Sequence, residues 1–412
     1  MTTISARSLL DPDVIHSPYA HYDDLRRERP VAWLPEIKAF FVSRYDLAKL
    51  ILTDPRFQKG SAEKDGRKFV APNVAAQQVL LRDAEIGLPV HCLSESNGPV
   101  HAAYRKILEG FLSRRSVIAK QPEIEEQARL LAEGIAEGEC DVVADYAAPF
   151  ALGVISDAIG FPPEMRREVK AYADAALTYL TRTVPEEEAV AGAETMVAMH
   201  NVVRALVEER RRTPQADILT TLATATVEDR PLSDREICYI VEELVVGGNE
   251  TTANAINGGL LFLAQNPELQ DQLRQEPDRI PAFVEEILRF IPSIQAAHRI
   301  AREDIEIEGV TIPKASKVFL GTAAANRDGA RFGCPAAFDQ DREGLNQHIA
   351  FGGGQHLCIG IHLTRIEQAI AYRAWLARFA STTLAQPVDS IQYLNSFATR
   401  SPIAIRVTVR TH

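Results

Sequence analysis

Apolar residues recur along this chain with two different periods, and the changes of period mark its elements. Pro18-Tyr19 to Arg29-Pro30 reads as a short amphipathic helix ended by proline. Val31 to Trp33 and Ala39 to Val42 then read as the two strands of a hairpin. Tyr45 to Leu52 is helical again, and Asp54-Pro55 stops it. From 58 to 99 the pattern lapses, punctuated by Gly60, Gly66, Pro72, Pro89 and Gly98-Pro99. This predicts a long irregular stretch, which in a compact domain is usually functional or mobile. Val100 to Phe290 is dominated by helical periodicity, with turn signals at Gly160-Phe161-Pro162-Pro163, Thr183 to Pro185, Thr213-Pro214 and Leu232-Ser233-Asp234. Ser233 followed by Glu236 has the spacing of a capping box. Asp304 to Ile312 and Lys317 to Leu320 are β-like, and Ile403 to Val409 closes the chain with strand alternation. The expected fold is mainly α with a minor β part, in a single domain over 1–412 without repeat or Ser/Gly linker.

Composition narrows the partners more than the fold. The 412 residues are 46% hydrophobic and 25% charged, ordinary for a globular chain. Forty-five basic against 56 acidic residues leave −11, which disfavours nucleic acid or an anionic membrane as the main partner. Five scattered cysteines (Cys92, Cys140, Cys238, Cys334, Cys358) form no Cys-x-x-Cys pair, so neither a disulfide framework nor a zinc site is expected. The segment MTTISARSLLDPDV has no basic region followed by an apolar run, and no secretory signal is read there. Ile237 to Ala264 is the longest apolar region, but Glu242, Glu243, Asn249 and Glu250 interrupt it. It reads as a buried helix rather than a membrane span, and a soluble, cytoplasmic protein is expected.

The chemistry concentrates in Phe351-Gly352-Gly353-Gly354-Gln355-His356-Leu357-Cys358-Ile359-Gly360. Consecutive glycines let the backbone take positive φ and pass close to a flat object. After Gly360 a helical pattern begins with Ile361, Leu363, Ile366, Ala369 and Ile370, so Cys358 falls just before a helix N-terminus, which favours a thiolate. The residues themselves leave three readings open: a metal thiolate, a small buried side chain, or a loop that cradles phosphate. Upstream, Gly247, Gly248, Glu250 and Thr251 lie mid-way along the apolar helix. Two helical glycines cost on the order of 1 kcal/mol each against Ala. Either a ligand approaches the backbone there, or two helices pack closely.

The pattern Phe-x-x-Gly-x-His-x-Cys-x-Gly resembles the haem-binding signature of the cytochrome P-450 superfamily, with every defining position filled. The resemblance implies the cytochrome P-450 fold, a helix-rich region around haem with a small β-rich region from the N- and C-terminal segments. It implies haem b as cofactor and Cys358 as the axial thiolate and metal ligand. Phe351, Gly352 and Gly360 belong to the same loop, and His356 matches a haem-propionate partner. His101 and Arg105, in His-x-x-x-Arg, and Arg299 match the remaining propionate partners. Gly247 and Gly248 fall in what resembles the oxygen-binding groove, where Glu250 and Thr251 are expected to deliver protons; many members carry Asp at the position of Glu250. Glu286 and Arg289 resemble the family's structural Glu-x-x-Arg, completed by Arg342. Substrate contacts are expected from 70–99, Tyr172 to Tyr179, Leu244 to Gly248, Ile294 to Ala297 and Leu394 to Phe397, mostly aliphatic or small linings.

The implied activity is a bacterial-type monooxygenase that uses dioxygen to hydroxylate, or oxidatively dealkylate, a small-to-medium apolar organic substrate. No flavin- or iron–sulfur-binding segment is read in the pattern, so electrons are expected from a separate ferredoxin and ferredoxin reductase. Lys106, Arg114 and Arg115 are candidates for their docking patch. A peroxide-driven peroxygenase and a non-catalytic haem-based gas sensor are the alternatives, and a carrier-bound substrate is compatible with the same residues.

Overall fold

The structure, a computed structural model, describes residues 7–60, 73–83, 85–90, 92–181 and 184–412. Thr183 and part of the expected irregular stretch (61–72, 84 and 91) lie outside these. Contacts divide the chain into two compact units of discontinuous segments: Met1–Gln58, Gln121–Phe150 and Thr251–His412 form one, Lys59–Lys120 and Ala151–Glu250 the other.

In the first unit the expected hairpin forms from Val31–Leu34 and Ala39–Val42, paired antiparallel. Lys317–Leu320 joins Ala39–Val42 in parallel, Ala297–Ala301 pairs antiparallel beyond it, and Phe57–Gln58 ends the sheet. Successive strand residues point to opposite faces, and both faces are covered. Phe40, Val42, Val318 and Leu320 meet Leu47 and Ile51 of the helix Tyr45–Thr53, while Ala32, Leu34 and Phe41 meet Tyr22 and Leu25 of the helix Tyr19–Glu28.

A smaller sheet orders Phe379–Leu384, Arg406–Thr411 and Gly138–Asp141. Its central strand starts three residues later than the alternation from Ile403 predicts. Ile403 N–H donates to Gln392 O and Ile405 N–H to the Asp141 carboxylate, so these residues spend their hydrogen bonds outside the ladder.

Glu286 and Arg289 lie on the helix Ile280–Phe290, and both are fully buried. Arg289 donates from Nε and Nη2 to the two Glu286 oxygens at 2.7 and 2.6 Å. Its remaining donors reach the carbonyls of Asn326, Pro335 and Ala337 at 2.9–3.0 Å. Arg342 adds a contact to Glu286 at 3.4 Å and another to Ala337 O at 2.8 Å. An isolated helix-surface pair contributes little; this one knots a helix to the irregular segment that leads into the cysteine loop.

The second unit is helical. Arg166–Thr181, Glu186–Arg212 and the N-terminal part of Asp234–Gln265 are its long members. The capping box forms as spaced: Ser233 N–H donates to Glu236 Oε2 at 2.9 Å, and Glu236 N–H returns to Ser233 Oγ at 3.3 Å. The stretch 58–99 is not patternless, because Val74–Arg82 is a helix capped by the Asn73 side chain. Its buried face, Ala76, Val79 and Leu80, spans little more than one turn, too short to establish a period between flanking glycines and prolines. None of the described helices is long and apolar enough to cross a membrane.

Arg289→Met should cost roughly 3–5 kcal/mol, because it leaves the Glu286 carboxylate buried without its counter-ion. Urea unfolding measures this; a loss below about 1 kcal/mol would mean the pair behaves like a solvated one.

Candidate functional site

The candidate residues divide between the units. Thr251, Arg299, Phe351, Gly352, His356, Cys358 and Gly360 belong to the first; His101, Arg105, Gly247, Gly248 and Glu250 belong to the second.

The cysteine loop is closed by its own backbone. Cys358 N–H donates to Phe351 O at 3.0 Å, Gly352 N–H to Ile349 O at 2.9 Å, and Leu357 N–H to Gly354 O at 3.1 Å. Gly352 and Gly354 have φ of 70° and 64°, the left-handed region that side chains resist. A Cβ on Gly354 would also run into the Leu52 carbonyl. Gly353 is extended at φ 179°, so only two of the three glycines serve the turn. Cys358 is half-buried, and the helix Ile361–Arg378 begins three residues later, as its sequence pattern predicts.

An ion cluster that the sequence reading missed braces this loop. Glu285 accepts from Arg365 Nη2 at 2.8 Å and lies 3.2 Å from His348 Nε2. The Arg365 guanidinium stacks over the Phe351 ring, 4.8 Å from its centroid. Burial pushes the Glu285 carboxyl up, but the bonds from His348 and Arg365 outweigh it and hold the group at about 2. The only sequence signal was a second acid beside Glu286 on a largely apolar helix.

Thr251 and its neighbours fasten the long helix within the same unit. Ser293 hydroxyl donates to Thr251 O at 2.7 Å, and Thr252 and Thr364 bring their hydroxyls to 3.5 Å. Tyr372 hydroxyl donates to Ala255 O at 2.9 Å, so the helix that follows Cys358 is tied to the helix that carries Thr251. Thr252, Ser293 and Tyr372 were not singled out in the sequence, since hydroxyls on apolar helices read as ordinary packing. Arg299, 3% exposed on its strand, donates from Nη1 to His298 O at 2.9 Å.

In the second unit His101 is buried on the helix Gly98–Leu112, and Arg105 follows one turn later, 3.7 Å from Glu109. Burial, and then the Arg105 charge, lower the His101 pKa and favour a neutral imidazole. The two glycines of the long helix separate the two readings offered for them. A Cβ on Gly248 would press into Ile155 Cγ1 at 2.7 Å, which is close helix–helix packing. A Cβ on Gly247 would meet no described atom within 4 Å, leaving room at the backbone. Glu250, the next acid, is half-buried.

Among the described residues no three His, Cys, Asp or Glu side chains cluster as a metal cage. A lone half-buried thiol on a rigid loop fits a metal that brings its other ligands in a flat macrocycle.

The sequence model described as Cytochrome P450 matches residues 174–404. Nocardicin C N-oxygenase of Nocardia uniformis subsp. tsuyamanensis is 33% identical over 395 residues, covering 94% of each chain. The biotin biosynthesis cytochrome P450 of Bacillus subtilis is 32% identical, covering 92% of this chain and 93% of that protein. The crystal structure of P450BioI in complex with an acyl carrier protein ligated by hexadec-9Z-enoic acid is similar at a TM-score of 0.86 and 30% identity, covering 97% of this chain and 99% of that one.

Glu285→Gln should remove stability that is fully present above the ordinary carboxylate value of 4.5 and is lost as the pH falls towards about 2. The variant should be less stable than the parent by about 1–2 kcal/mol near neutrality. Urea titrations over that window should show the difference shrinking as acid is added; a difference independent of pH contradicts the assignment.

Proposed function

Since the chain belongs to the cytochrome P450 family of monooxygenases, we propose that it is a cytoplasmic, single-domain enzyme that hydroxylates or oxidatively dealkylates an organic substrate. The observation that carries this reading is the presentation of Cys358. Its thiol stands at the end of a loop closed by its own N–H and braced by Glu285, Arg365 and Phe351. The family's haem–thiolate cofactor, haem b in this reading, supplies dioxygen activation and hydrogen abstraction when bound.

The chain's residues hold and feed that group. Cys358 would hold it through its thiolate, with Phe351, Gly352 and Gly360 shaping the loop beside it. Arg105 and Arg299 are permanent cations suited to carboxylates such as propionates. His356 and neutral His101 add N–H donors, and a neutral imidazole serves a propionate without drawing further protons. Gly247 leaves its side of the long helix open, and Gly248 sets that helix against Ile155.

Over one turnover, one oxygen atom enters a C–H bond and the other leaves as water, consuming two electrons and two protons. Thr251 holds the inner proton: Ser293 fixes its carbonyl and hence the residue's place on the helix. Glu250, half-buried, takes protons from the solvent side and passes them inward. The electrons come from a separate ferredoxin and its reductase. Lys106, Arg114 and Arg115 are exposed, and they offer an acidic ferredoxin a basic surface.

Thr251→Ala should keep haem and the substrate-induced spin shift, yet lower product formed per electron pair by about tenfold or more, with peroxide released instead. Parallel assays of product, electron donor and peroxide check this. Full coupling in the variant, or peroxide alone supporting the rate of the complete electron chain, contradicts the proton-delivery role and favours a peroxygenase.

A further inference from the structure

Two segments of the first unit grip the long helix at neighbouring turns. Ser293 to Ala296 and Ala398 to Ser401 run side by side as a short antiparallel ladder. Arg400 N–H donates to Ser293 O at 2.9 Å, and Ile294 bridges Thr399. Gln295 and Ala296 N–H both donate to Ala398 O, at 2.8 and 3.2 Å. One end of this ladder holds the helix. Ser293 hydroxyl donates to Thr251 O at 2.7 Å, and Ser401 hydroxyl accepts from Asn254 Nδ2 at 2.8 Å. Ser293, Asn254 and Ser401 are all buried, so water competes little for these bonds. On its other side the ladder is pinned to the short helix Pro12–His16: Arg400 Nη1 donates to His16 O at 3.1 Å. The same guanidinium covers the Tyr393 ring, 4.0 Å from its centroid.

A buried hydrogen bond contributes only about 1 kcal/mol net, and an apolar pair of the same shape does nearly as well. What the polar pair adds is direction, because a hydrogen bond weakens steeply when misaligned whereas apolar side chains slide. Thr251 and Asn254 stand three residues apart, about 4.5 Å along the helix axis and about 60° around it. One tether would let the helix pivot about it. Two from the same ladder fix both its slide and its roll, and roll is the motion that swings the Thr251 side chain.

We propose that Asn254 and Ser401 are positioning residues for proton delivery: with Ser293, they hold the turn of the helix that carries Thr251. The inference rests on the proton-handling role proposed above for Thr251. Elsewhere the helix keeps Tyr372 on Ala255 O and Thr252 beside Thr364. Loss of the Asn254–Ser401 bond therefore loosens one turn without releasing the helix.

Hydrogen exchange in the holoprotein reads the clamp, and reoxidation of the dithionite-reduced protein by aerated buffer reads its effect on Thr251. In Ser401→Ala the amides of residues 251–258 should exchange about fivefold faster. Ser401→Thr, which keeps the hydroxyl, should restore them. The ferric spectrum of Ser401→Ala should return about threefold faster, the direction in which Thr251→Ala also moves it. In the Thr251→Ala background the same substitution should change that rate by less than about 1.5-fold, since nothing is left to position. Asn254→Leu removes the bond from the helix side and decides the matter if Ser401→Ala does not fold. Exchange unchanged by the loss of the bond would overturn the proposal. So would multiplying effects of Ser401→Ala and Thr251→Ala on the rate. A rate indifferent to Thr251→Ala itself overturns the role of Thr251 instead, while the exchange comparison still decides whether the pair holds the turn.

Discussion

The hydrogen bond from Cys358 N–H to Phe351 O closes the loop that carries the thiol, and much of the first unit serves to keep that loop in one shape. A single thiolate that ligates a metal gains from a fixed direction, because one bond provides no second anchor to correct a misplaced sulfur. The restraint is spread over several elements. Gly352 and Gly354 take backbone angles that other residues resist. Glu285 binds Arg365, and Arg365 covers Phe351. Behind them the buried Glu286–Arg289–Arg342 knot fixes the irregular chain that enters the loop.

The same economy governs the long helix Asp234–Gln265. Its C-terminal half is tied to the helix after Cys358 through Thr252 and Thr364 and through Tyr372 and Ala255. A shift of one helix must therefore break polar contacts buried in the core, which is costly. Its N-terminal half carries Glu242, fully buried and 3.9 Å from His200 Nε2.

Much of this was legible in the chain. The ten residues around Cys358 combine glycine, histidine and thiol at a spacing that little else requires, and strands such as Ala39–Val42 and Lys317–Leu320 stand where their alternation puts them. What escaped notice depends on contacts distant in sequence. Glu285 gains meaning only when His348 and Arg365, 63 and 80 residues away, close around it. Helix Val74–Arg82 was hidden by its brevity. Glu242 read only as an interruption in an apolar helix until packing placed it 3.9 Å from His200. The glycine pair read as one feature, whereas the neighbours of each divide it into a packing residue and an open one.

The account stands on the thiolate of Cys358. Carbon monoxide added to the reduced, haem-loaded protein, parent beside Cys358→Ser, tests it most directly. The parent should give the red-shifted band of a thiolate-ligated haem, and the variant should lose it while remaining folded. An unaltered band in the variant, or a parent that binds haem without that band, would contradict it.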